Sequence, residues 1–157
     1  MLTSRRDYIL RVIEEIGRIL ARLTLKRRKG ENDEKALETV VAGFQRLFDL
    51  EADQIFLLTP EQHFEMLTDD DSAEFSRDKV LLYAALSAEA GHIYTRMGHR
   101  AMARATFTNA LRFTLKAQAQ YPGGALPPYA PRVADLLEAL KDAPLDAETA
   151  ALIQAAR

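Results

Sequence analysis

The sequence predicts an all-α fold, and three observations predict it. Apolar residues recur at three-and-four spacing through every long segment, each such segment is bounded by Gly, Pro, Asx or hydroxyl residues, and no segment alternates apolar with polar residues between hairpin turns. A chain of 157 residues fits one domain, and at that length folding buries roughly 70% of the surface the unfolded chain exposes. The expectation is a single helical domain over 1–157, with six to seven helices packed as a compact bundle or a short solenoid.

The first helix is expected over 5–29. Ile9, Ile13, Ile16, Leu20 and Leu23 line one face, and Tyr8, Val12 and Ile19 widen that stripe beyond what one neighbour needs. A self-associating chain, a homodimer through this helix, is therefore expected. Gly30 and Asn32 end it, after basic residues that suit the negative end of a helix dipole. A helical segment over 33–67 follows. Its first helix, Asp33 to Leu50, turns Leu37, Val40, Val41, Phe44, Leu47 and Phe48 inward, and its second is opened by the box Thr59-Pro60-Glu61-Gln62. A helix pair spans 76–120, with Asp71 or Ser76 as candidate cap and Gly98 as the turn. Residues 121–131 carry Pro122, Pro127, Pro128 and Pro131 and form an irregular connection, and 132–156 close the chain with two short helices, the last capped by Asp146.

Composition excludes whole classes of chemistry. With no cysteine there is no disulfide, thiolate metal site or cysteine nucleophile. The first 25 residues hold eight charged side chains, leaving no uncharged run for a leader or a membrane span, so a cytoplasmic chain with no membrane partner is expected. Charge is unevenly spread: 9 basic and 3 acidic residues over 1–29, then 2 and 13 over 30–75. Intramolecular or intersubunit pairing between the basic first helix and the acidic second segment follows as an expectation, with the solvated end of the first helix facing the acidic stretch 31–38.

Residues 84–117 carry one family pattern. Gly91 and Tyr94 stand on a first helix, Gly98 in a turn, and Ala103, Phe107 and Ala110 on a second, with small residues where helices cross and large ones filling the gaps. In these positions the segment resembles a tetratricopeptide repeat, a helical hairpin of about 34 residues. It departs from that pattern at Ser87, Ala90 and Leu115. The resemblance implies tetratricopeptide-like hairpins and a protein-protein interaction function. A peptide or protein partner would lie on the concave face of the first helix, here Ala85, Ala88, His92, Thr95 and Arg96. His92 and Arg96, one turn apart, would then hold a carboxylate together.

Other candidates are weaker. Arg22, Lys26, Arg27, Arg28 and Lys29, with Arg18, form an alternative anion-binding cluster, though a pI near 5.9 argues against a nucleic-acid partner. Glu89-x-x-His92 has the spacing of a di-iron element but no second copy exists. His63 between Glu61 and Glu65 reads as solvated surface, and Asp69, Asp70 and Asp71 lack the glycine and terminal glutamate of a calcium loop. No phosphate loop, dinucleotide fingerprint or nucleophile elbow is present. The expectation is a non-catalytic module with no cofactor and no metal.

Overall fold

The computed structural model describes residues 4–30, 32–69 and 72–157, and these form eight helices and no strand. They are α1 (Ser4–Lys29), α2 (Asp33–Phe48), α3 (Ala52–Phe56), α4 (Pro60–Thr68), α5 (Ala73–Arg96), α6 (Arg100–Gln120), α7 (Val133–Ala139) and α8 (Ala147–Ala156). The all-α expectation holds, with one helix more than the periodicity shows. That extra helix, α3, has five residues, too few for an apolar stripe to repeat. Its local signal is the Glu51 N–H donating to Gln54 Oε1 at 3.0 Å.

The ends of the helices follow their local chemistry. Thr59 accepts from the Gln62 N–H at 3.1 Å, while Gln62 Oε1 accepts from the Thr59 N–H at 2.8 Å, with Pro60 at the first helical position. Asp146 caps α8 through the Thr149 N–H at 2.7 Å. The cap of α5 is a different residue from the two expected: Ser72 Oγ accepts from the Phe75 N–H at 3.2 Å. Ser76 is buried inside the helix, and Asp71, like Asp70, lies outside the described residues.

α1 and α5 run parallel, with α2 antiparallel beside both. Arg6 lies over the Phe75 ring and Arg27 meets Glu89, while Arg46 of α2 meets Glu15 and Asp33 meets Arg96. α5 is the central helix. Val80 to Ser87 are all buried, so its middle is enclosed on every side. Val12, Ile16, Leu20 and Leu23 of α1 and Val40, Phe44, Leu47 and Phe48 of α2 pack into one core with α5. α2 and α5 of the same chain thus cover Val12, with Ile13 and Ile19 partly buried against the same core, while Tyr8 stays 41% exposed.

Among the described residues no ion pair joins basic α1 to the acidic segment 31–38; Glu31 and the Arg28 side chain lie outside them. The ion pair joining α1 to α2 has Glu15 on α1 and Arg46 on α2, at 2.6 Å. Arg27 turns to Glu89 on α5, and Asp33 is taken by Arg96. Regional charge sums say nothing about which side chains point at each other across a helix seam.

α5 and α6 form a hairpin around Gly98, whose φ of +78 favours glycine. The two helices approach so closely that a methyl on Gly91 would stand 2.7 Å from the Phe107 ring. About two turns earlier on α5 sits an aromatic cluster. Tyr83 stacks on Phe113 with centroids 4.2 Å apart and touches Phe44, Phe48 and His63.

His63 corrects the expectation of a solvated side chain. It is buried, with Nε2 at 2.7 Å from the Ile55 carbonyl and Nδ1 at 3.0 Å from the Tyr83 hydroxyl. Both contacts are satisfied by one neutral tautomer, Nε2–H donating to the carbonyl and Nδ1 accepting from the phenol. Burial in turn holds the Tyr83 phenol above its ordinary range.

The C-terminal helices fold back on α6. Leu136 and Leu140 pack with Phe107, Leu111 and Leu115, and Arg112 of α6 reaches Glu148 at 2.6 Å and Glu61 at 3.3 Å. No helix among the described residues is long and apolar enough to cross a membrane.

Candidate functional site

A cleft of about 670 Å³ lies between α1 and α5, on the side away from α2. It exists because the facing helices carry small residues there: Gly17 and Ala21 on α1, Ala85 and Ala88 on α5. Phe107 and Leu136 form its back and Pro128 to Arg132 its remaining wall. Its size is that of sites which enclose a small molecule or a few residues of a peptide.

The parallel course of α1 and α5 sorts the cleft by polarity. Gly17, Leu20, Ala21 and Ala85 lie toward one end, and Thr24, Arg27, Glu89 and His92 lie one to two turns further on. At this polar end Arg27 Nη1 is 3.1 Å from Glu89 Oε1, the oxygen that also accepts from Thr24 Oγ1 at 3.5 Å. Burial pushes the Glu89 carboxyl up, against the stabilising pull of Arg27, the Thr24 hydrogen bond and Arg96. His92 stands one turn along α5, its ring edge-on to Phe107 at 5.1 Å. Burial, then Arg27 and Arg96, push its imidazole down to about 4, opposed by Asp135. It is therefore neutral near pH 7, with one donor and one acceptor nitrogen that no described residue engages in a hydrogen bond.

Three of the expected face residues, Ala85, Ala88 and His92, come together in this cleft. The other two lie off it. Thr95 turns its hydroxyl back to the Gly91 carbonyl at 2.8 Å, and Arg96 is held by Asp33 at 2.7 Å. The cation beside His92 in the cleft is Arg27, supplied by α1. Spacing along one helix shows a side chain's own neighbours; it has no means of showing which residue a second helix brings alongside.

Arg18, Arg22, Lys26 and Lys29 of the alternative cluster follow one another at four-and-three spacing along α1. Arg27 is committed to Glu89, Lys26 is half-buried, and Arg18, Arg22 and Lys29 are exposed; the Arg28 side chain lies outside the described residues.

Sequence reasoning missed the wall made by the connection. Arg77 donates through Nη1 to the Gly123 carbonyl and through Nη2 to the Ala125 carbonyl, both at 2.8 Å. This fork ties 121–131 down beside α5, and Tyr129 and Ala130 then pack on the main core. Proline content marks the segment as irregular, but no residue in it announces that it lies along α5. Comparison with protein-family models, with curated proteins and with solved structures finds no match for the chain.

Proposed function

We propose that this chain is a non-catalytic interaction module that binds an extended segment of a protein partner in the cleft between α1 and α5. The α5/α6 hairpin serves in this reading as a tetratricopeptide-like unit whose first helix presents the binding face. The observation that supports it is the meeting of Ala85, Ala88 and His92 in one largely apolar cleft. Small residues leave the room, and the neutral imidazole supplies a hydrogen-bonding group suited to a main-chain amide.

The test is capture of partners from the native extract by the whole chain, beside Ala88→Phe, which fills the cleft from a half-buried position. A partner that cross-links to α1 or α5 and is lost with Ala88→Phe supports the reading. Partners retained equally by both proteins exclude the cleft as the binding face. An anion-binding role for the end of α1 is less well supported, because Arg27 is already neutralised by Glu89. Steeply salt-dependent binding of a labelled oligonucleotide, abolished by neutralising Arg22 and Lys29, would reverse that preference.

A further inference from the structure

Residues 121–131 wall the cleft and are lightly held. No residue of this stretch is buried, and Leu126 is 50% exposed. Among the described residues its main chain makes no hydrogen bond to the main chain of α1 or α5. Its grip on α5 is the Arg77 fork on the Gly123 and Ala125 carbonyls, together with the half-buried Tyr129 and Ala130 against the core. A segment with so little buried apolar surface and so few main-chain bonds belongs to the part of a fold that opens first.

The packing beneath it is incomplete. The cleft runs along 128–131, and a smaller hollow of about 260 Å³ runs along 121–126, bounded by Arg77, Leu81 and Ala117. The Tyr129 hydroxyl and Arg77 Nε are both buried with no hydrogen-bond partner among the described residues. Asp78 Oδ1, at 3.9 Å from Arg77 Nε, is too far to accept from it. Both groups forgo water in the closed arrangement and recover no bond, which leaves the two fork bonds as the main polar hold on the segment. Its backbone suits motion as one piece. Pro127, Pro128 and Pro131 fix φ along the cleft wall, whereas Gly123 and Gly124, at φ of +96 and +71, stand just past the end of α6.

On the reading of the cleft as a site for an extended segment, we propose that residues 121–131 are a strap that opens apart from the rest of the fold, with the Arg77 fork as its latch, and that its opening admits the occupant from the side. An extended segment continues beyond the residues it buries, so it passes a wall that yields more readily than it threads past a fixed one. Movement about Gly123 and Gly124 lifts Pro128 to Pro131 from α5, while α6 and α7 stay joined through Leu111, Leu115 and Leu136.

The chain has no cysteine, so single introduced thiols report access to the site. Ala85→Cys lies in the cleft at a 5% exposed position, Ala88→Cys at a half-buried one in the same cleft, and Ser87→Cys at a 3% exposed position on the face toward Tyr83. Each full-length protein would be reacted with fluorescein maleimide, a bulky reagent that is itself the occupant admitted. The Ala85→Cys thiol should react about tenfold or more slowly than that of Ala88→Cys, and about tenfold or more faster than that of Ser87→Cys. Its rate should change little with urea below the unfolding transition, where the Ser87→Cys rate climbs steeply. Arg77→Met should speed the Ala85→Cys reaction by about tenfold or more with the weak urea dependence retained, and Arg77→Lys by less. Val40→Ala, which weakens the core on α2, should leave that reaction unchanged. An Ala85→Cys thiol that shares the rate and urea dependence of Ser87→Cys opens only with the whole fold, and one as fast as Ala88→Cys needs no opening; either overturns the strap. No acceleration by Arg77→Met overturns the latch. These rates need no partner, so they decide the strap separately from the Ala88→Phe comparison that decides the peptide site.

Discussion

Two glycines in the middle of long helices should respond in opposite directions to the same added methyl group. Gly17 lies in α1 and Gly91 in α5, so alanine at either gains about 1 kcal/mol of helix propensity. At Gly17 an added Cβ meets nothing within 4 Å, and the gain should appear in full. At Gly91 it would stand 2.7, 2.7 and 2.8 Å from Cε1, Cζ and Cδ1 of Phe107, about 1 Å inside an ordinary carbon contact. The ring is buried between α5, α6 and α7 and edge-on to His92, so it cannot retreat freely. Overpacking of this kind costs about 1–3 kcal/mol. Because the propensity gain is common to both variants, the difference between them isolates the helix contact, and Gly17→Ala should exceed Gly91→Ala in stability by about 1–3 kcal/mol.

Urea unfolding of both variants measures this difference directly. Phe107→Val, which removes all three contacting ring atoms, supplies the control. In that background Gly91→Ala should stabilise, with a coupling to Phe107 of about 1–3 kcal/mol. A Gly91→Ala protein as stable as Gly17→Ala, or an absence of coupling, would show that α5 and α6 do not make their closest approach at Gly91. The role given to that glycine in the sequence pattern would then fail.

Replacing His63 by leucine removes one hydrogen bond each from the Tyr83 hydroxyl and from the Ile55 carbonyl, which keeps the Leu58 N–H at 3.1 Å, and should destabilise by about 1–3 kcal/mol in urea melts; a change under about 0.5 kcal/mol would mean that the side chain is solvated after all. Arg112→Met should change global stability little, since Glu61 and Glu148 are half-exposed and return to water while a buried guanidinium is removed. Amide exchange over 147–156 should nonetheless accelerate, since α8 keeps only Lys116 on Glu148 and the packing of Leu152 and Ile153, and unchanged exchange would refute the role of Arg112 in holding it. His92 gives a pH signature. Its pKa is lowered from 6.5 to about 4 on folding, so between those values the unfolded chain binds a proton that the native chain does not. Wild-type stability relative to His92→Asn should be flat above about pH 7 and fall as pH drops toward 4, and a flat difference throughout would refute the burial of the ring.

Much of the fold is legible in the sequence because its signals are local. The box at Thr59, the cap at Asp146, the turn at Gly98 and the stripes of α1 and α2 each depend on residues within a turn or two of one another. What escapes is whatever is fixed by tertiary partners. His63 looks like a surface residue because its neighbours in sequence are glutamates, and it is buried because Tyr83 and Ile55 approach from elsewhere. Likewise the breadth of the α1 stripe is legible, but a stripe carries no label saying whether the second cover is a partner copy or another helix of the same chain.

The site divides along the same line. About two turns of α5 supply Ala85, Ala88 and His92, and their spacing is enough to place them on one face. The electrostatics of that face depend on α1 and α7. A protonated His92 beside an unpaired Arg96 would make the cleft an anion trap, which is what α5 alone implies. With Asp33 on Arg96, Glu89 on Arg27 and the imidazole neutral, the same face becomes a matched and largely apolar one. The choice between those two characters is made by Asp33 and Arg27, which lie more than fifty residues before His92 and are invisible to any reading of the repeat-like segment on its own.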